Sequence, residues 1–169
     1  MTDTAPDLPL AKEVDLVRQG WWLHDARWYQ AVKNRFGQEA ANELNADVMR
    51  FVARRIATVY TRQCPVADNA TSAEVAAALE SLARLMFSRA MVRLDTTDVD
   101  DENTWETVVS EHFALRMLRA SRSLAGYQCP CMQLRAGWFE GIGVRVSDET
   151  VECMREGAAV CRFRACLKS

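Results

Sequence analysis

The apolar residues of this chain change their period once, near an acidic stretch, and that change limits the folds open to it. Up to about Val92 they recur every three to four residues, and beyond Asn103 several segments alternate with a period of two. The first period marks helices with one buried face, and the second marks half-buried strands. Helices first and strands afterwards predict an α+β fold, with N-terminal helices followed by a C-terminal antiparallel sheet with one helix.

The pattern can be followed segment by segment. From Lys12, the residues Val14, Val17, Trp21, Trp28 and Val32 keep helical spacing, and Gly37 supplies a stop. A second helix is expected from about Glu39, with Leu44, Val48, Phe51, Val52, Ile56 and Val59 on its inner side and Arg50, Arg54 and Arg62 toward water. Cys64-Pro65 ends it, because the residue before a proline is pushed out of the helical region. Thr71 with Glu74 three residues on reads as a capping box, opening a third helix through Val75, Leu79, Leu82 and Met86 to about Val92. The acidic stretch Asp95 to Asn103 has no periodicity and reads as a linker; it lacks the glycine and terminal glutamate of a calcium loop.

After the linker, Phe113, Leu115 and Met117 alternate like a strand, and Met132 to Ile142 is spaced like a helix ending at Gly143. A short strand is expected within Val144 to Cys153, and Gly157 suits the turn into a last strand in which Cys161, Phe163 and Ala165 face inward. Residues 1–11 are expected to form a disordered lead. Residues 12–169 then make one domain, helical over 12–94 and a cysteine-rich sheet over 104–169.

A chain of 169 residues can bury enough surface to fold without disulfides. Its formal charge is −2, which offers no basic footprint for nucleic acid. No apolar run approaches the ~20 residues of a membrane span, and the acidic, proline-containing start lacks the form of a signal peptide. The expected compartment is the cytoplasm, where structural disulfides are rare.

Against that background the cysteines stand out. Five of the six (Cys129, Cys131, Cys153, Cys161 and Cys166) lie in the last 41 residues. Strand alternation turns Cys161 inward and Cys166 outward, and a hairpin around Gly157 would bring Cys153 to Cys161. Cys129-Pro130-Cys131 precedes a helix, whose free N–H groups favour thiolate. Four thiolates from Cys129, Cys131, Cys153 and Cys161 could hold zinc tetrahedrally, or an iron–sulfur cluster, and a single low-pKa thiolate could instead act as a nucleophile. The plainer alternative is a set of small buried hydrophobes.

A second constellation lies near the N-terminus, where Trp21, His24 and Trp28 share a helix face with Asp25 beside them. These four could line a ligand pocket, with His24 and Asp25 as acid–base candidates, or they could simply be packed core. His112, between linker and strand, is expected at the surface.

The run WWLHDARWYQAVKNRFGQEAANELN resembles the opening of the bacterial and archaeal DUF6125 family, and Pro130-Cys131, Cys153 and Cys161-Arg162-Phe163 are similar to its cysteine pattern. The closing segment VECMREGAAVCRF resembles 4-vinyl reductase-type domains and the L-2-amino-thiazoline-4-carboxylic acid hydrolase-like family. The vinyl reductase-type likeness implies a small hydrophobic ligand and cysteine-held zinc; the hydrolase-like one implies metal or thiol catalysis. Two positions depart from these patterns: Ala120 stands where DUF6125 has a cysteine, and Thr150 where the vinyl reductase-type pattern has an acidic ligand.

The expected function is therefore a small-molecule-binding domain with a cysteine-ligated metal, zinc before iron–sulfur, and an aromatic pocket. The alternatives are a cysteine- or metal-dependent hydrolase of a small C–N or C–S compound, and an iron–sulfur or redox protein. Expected partners are a small molecule and a second copy of the chain, without nucleic acid or membrane.

Overall fold

The computed structural model describes residues 8–98 and 103–168. Three helices come first: α1 (Leu10–Phe36), α2 (Gln38–Thr61) and α3 (Ser72–Met86). The strands β1 (Val92–Asp98) and β2 (Thr104–His112) follow, then α4 (Phe113–Ala120), α5 (Cys131–Ile142), β3 (Val146–Glu152) and β4 (Cys161–Leu167). The sheet is antiparallel throughout, in the order β1-β2-β4-β3. The chain is α+β, with N-terminal helices and a C-terminal sheet, as its periodicity predicts.

Several local expectations are met for the expected reasons. Thr71 and Glu74 form the reciprocal capping box of α3, whose Val75, Leu79, Leu82 and Met86 are all buried. Gly157 turns the chain with φ of +103°, and β4 buries Cys161, Phe163 and Ala165. Others are overturned. Phe113 to Leu118 forms the helix α4 and not a strand, so two helices interrupt the strands instead of one. Its alternation over six residues is too short to separate the two periods, and the His112 side chain caps the helix by accepting from the Leu115 N–H. Part of the expected linker is strand, since Asp95 to Asp98 belong to β1; residues 99–102 lie outside the described residues. Of the expected lead, residues 1–7 are likewise outside, and α1 already begins at Leu10 behind Pro9.

The largest correction concerns which face of the long helices is buried. In α1 the buried residues are Trp22, Tyr29 and Val32, while Val14, Val17 and Trp28 are exposed. In α2 the buried set is Ala41, Asn42, Asn45, Met49, Ala53 and Ala57, whereas Leu44, Val48, Phe51 and Val59 face outward. Close approach of backbones is the cause. A Cβ on Gly137 would lie 2.3 Å from the Arg50 carbonyl oxygen, and one on Gly141 would lie 2.5 Å from both the Ala57 Cβ and the Arg54 oxygen. The glycines of α5 thus seat directly on the alanines of α2, and larger side chains are excluded from that seam.

Opposite these glycines, α5 turns Arg135, Trp138 and Phe139 into the core. Arg135 makes a bidentate pair with Asp148 on β3, both contacts at 2.7 Å, and both side chains are buried. Its guanidinium also lies 4.8 Å from the centre of the Phe163 ring, which ties α5 to the sheet through a cation–π contact.

Candidate functional site

Three segments meet at the cysteines. His112 is the last residue of β2, Cys129 and Cys131 flank Pro130 at the start of α5, and Cys153 and Cys161 bracket the turn between β3 and β4. The loop of residues 121–130 is tied to the N-terminal helices. Tyr29 donates from its hydroxyl to Asn42 Oδ1 at 2.7 Å, and the Asn42 amide donates to the Gly126 carbonyl at 2.8 Å. Asn42 Oδ1 also accepts from the Gln128 N–H at 3.1 Å, one residue before Cys129. From the other side, Arg155 in the β3–β4 turn donates to the Tyr127 carbonyl, and Arg119 donates to the Met154 carbonyl at 2.5 Å. The loop and the turn that carry the thiols are therefore held by polar contacts, that of Tyr29 with Asn42 fully buried.

Cys129 and Cys131 Sγ lie 2.8 Å apart, and His112 Nε2 lies 3.4 Å from Cys131 Sγ and 3.7 Å from Cys129 Sγ. The hydrogen bond from Cys131 pulls the Cys129 pKa well below its ordinary range against the effect of burial, with His112 helping. The same bond, together with burial, pushes the Cys131 thiol well up. The two thiols therefore titrate as a pair, in which Cys129 gives up its proton before Cys131. Burial pushes the Cys161 thiol up to about 11, and its sulfur accepts from the Met154 N–H at 3.3 Å.

Cys129, Cys131, Cys153 and Cys161 pack around one apolar cluster with Tyr127, Leu115 and Phe163. Among the described residues, the donor atoms lying within 4.8 Å of one another belong to His112, Cys129 and Cys131. Tetrahedral zinc would set S···S at roughly 3.8 Å and S···N at roughly 3.5 Å. The two S···N distances fit, and the S···S distance would have to open by about 1 Å. The structure thus places His112 among the thiols and not at an isolated surface position. A sequence signal was present: Trp105, Thr107 and Val109 alternate in a β-branched run that marks β2. What put the strand's last residue beside a loop some twenty residues onward is tertiary folding.

Beside this group lies a small cavity of about 50 Å³, walled by Phe87, Val109, Leu134 and Phe163 as well as His112, Cys131 and Trp138. Trp138 is 2% exposed, and its indole N–H has no acceptor among the described residues. A buried, unpaired donor costs about 1–3 kcal/mol.

The other predicted constellation is on α1, away from this cavity's lining. His24 is exposed, Trp28 is 39% exposed, and Trp21 and Asp25 are half-buried. Burial pushes the Asp25 carboxyl up, and His24 opposes the shift. The indole that enters the core here is Trp22, which stacks on Phe87 with ring centres 4.8 Å apart and donates to the Met86 carbonyl at 2.9 Å. Cys64 is exposed, and Cys166 is half-buried on the opposite face of β4 from Cys161.

No protein-family model and no curated protein matches the chain. Among solved structures it is similar to the phenol-responsive sensory domain of the transcription activator PoxR with phenol, at 18% identity and TM-score 0.56, over 83% of this chain and 71% of that one. A trafficking protein particle complex subunit 3 from Naegleria fowleri, covalently bound to palmitic acid, is similar at 16% identity and TM-score 0.51, over 94% and 97%. At these identities the likeness is one of fold.

Proposed function

We propose that this chain is a sensory-type, small-molecule-binding domain that takes a small aromatic ligand in the cavity beneath β1 and β2. The observation that carries this reading is the apolar cavity, with Trp138 in its lining beside His112 and Cys131; the unpartnered Trp138 N–H becomes reachable when wall side chains shift. A ring with a hydroxyl or carbonyl oxygen would pack against Phe87, Leu134 and Phe163 and accept from that N–H. The phenol-bound PoxR domain and the vinyl reductase-type resemblance of the closing segment support the same reading. The cavity is about a third of one that holds benzene, roughly 150 Å³, so ligand entry must displace wall side chains.

In the same proposal His112 Nε2, Cys129 and Cys131 hold zinc, the ring proton moving to Nδ1 and the long 3.5 Å cap from the Leu115 N–H being given up, with a fourth donor from Cys153 or Cys161 on the adjoining hairpin. Zinc would keep these thiolates deprotonated and lock the loop, β2 and the hairpin together as one wall of the cavity. The α1–α2 surface, with Leu10, Val17 and Phe51 exposed, supports a homodimer. No helix among the described residues is long and apolar enough to cross a membrane.

The test is metal analysis of anaerobically purified protein, together with calorimetric titration of phenol. One zinc per chain is expected, lost in His112→Ala and Cys129→Ser but retained in Cys166→Ser. Trp138→Phe, which keeps the ring and removes the donor, should weaken phenol binding about tenfold. Unchanged affinity in that variant would remove the assigned donor.

A second reading rests on the Cys129 thiolate beside His112, the arrangement of a cysteine nucleophile. Metal-free protein whose Cys129 is rapidly alkylated near neutral pH would put this reading first.

A further inference from the structure

The apolar cavity continues beyond its own walls. Ala83 of α3, Phe87 just beyond that helix, and Val92 and Leu94 of β1 line it, and the same four residues line a second hollow of about 420 Å³. They form the threshold between an inner, apolar space and an outer one open to water. The outer hollow runs along β1, the edge strand of the sheet, and its rim carries Arg84, Arg89 and Arg93.

These three guanidinium groups are not equally free. Arg84 donates to Glu80 at 3.2 Å and to Ser81 Oγ at 3.2 Å. Arg89 and Arg93 are exposed, and among the described residues neither makes a side-chain hydrogen bond or an ion pair. The carboxylates of the hollow are Glu80, already held by Arg84, and Asp95. Glu111 stands opposite Arg93 across the β1–β2 pair but is matched with Arg116 at 3.8 Å. The hollow therefore keeps an excess of positive charge immediately outside an apolar cavity.

We propose that the ligand of this domain is an amphipathic anion, a small arylalkyl carboxylate. Its ring occupies the inner cavity, and its carboxylate meets Arg89 and Arg93 outside the threshold. The proposal rests on the ligand reading above and adds the charge and length of the ligand to it. Guanidinium groups bind carboxylates through paired N–H donors, and the guanidinium in the inner cavity's lining, Arg135, is already held by Asp148, so a carboxylate drawn inside would lose its hydration with no free guanidinium to replace it. A molecule with its ring and charge separated by one or two methylenes satisfies both spaces.

The experiment titrates the full chain with phenylacetate and with phenylacetamide, a neutral analogue of the same length, at low salt and at roughly 0.5 M salt. The same pair is then run on the Arg89→Gln/Arg93→Gln double variant, whose exposed positions leave the core intact. Phenylacetate is expected to bind about tenfold more tightly than the amide, to lose that advantage in high salt, and to lose it in the variant. The affinity of the amide should be the same in both proteins. Equal affinities in the native chain, or an advantage that survives the double substitution, would overturn the proposal. If neither compound binds while phenol does, the anion site falls alone, leaving the edge of β1 open to pairing with a peptide strand. If phenol fails as well, the cavity reading falls and takes this proposal with it.

Discussion

At the scale of single residues, buried charge and surface charge play different parts in the sheet. Arg135 and Asp148 are desolvated together, so removing one partner leaves the other charged and buried. Asp148→Asn should destabilise the domain by ~3–5 kcal/mol, while replacing both residues with apolar ones should cost much less. Chemical denaturation of the single and double variants measures the difference. Glu106 is the half-buried counterpart on β2, where hydrogen bonds from Arg164 and Arg162 hold its carboxyl below its ordinary 4.5. Its contribution is present above that value and lost as pH falls through the depressed one. Glu106→Gln should therefore lower stability at neutral pH and flatten its acid dependence, as followed by thermal melts between pH 3 and 7. A melt that keeps the native acid dependence in Glu106→Gln would contradict this assignment.

Among the elements, the contact between α2 and α5 is the one that most depends on side-chain size. With the Arg54 oxygen and Ala57 Cβ each 2.5 Å from a Cβ at Gly141, the helices must separate to admit even a methyl group. Gly141→Ala should cost ~1–3 kcal/mol or more, and because α5 begins at Cys131 the displacement should also loosen the thiol group. A lower melting temperature together with faster alkylation of Cys129 and Cys131 would show both effects. The α2–α5 seam also shows why the sequence misleads about α2. Leu44, Val48, Phe51 and Val59 form an apolar stripe by periodicity, yet the structure buries the small residues beside it. A stripe of large side chains shows that a helix has an apolar face. It does not show whether the core or a partner covers that face.

For the whole molecule, that uncovered stripe has a consequence. Leu10, Val17, Phe36 and Phe51 are each more than 60% exposed, on two adjacent helices. A second copy placed on this face would bury them symmetrically. Light scattering should give a dimer near twice 19.1 kDa, and Val17→Glu/Phe51→Glu should shift it to the monomer with its far-ultraviolet circular dichroism unchanged. A native chain that stays monomeric at micromolar concentration would rule the interface out.

What the sequence determined by itself was local. The α+β order, the capping box at Thr71, the turn at Gly157 and the inward faces of β4 all follow from residues within a few positions of one another. Their causes are rotamers, backbone preferences and periodicity, which act over one or two turns of chain. The tertiary structure decided the rest. His112 joins Cys129 and Cys131 because β2 ends where the loop, anchored through Asn42, begins α5. Trp22, and not Trp21, enters the core because α3 offers it the Met86 carbonyl and the Phe87 ring. Such meetings depend on how whole elements pack, and no local spacing encodes them.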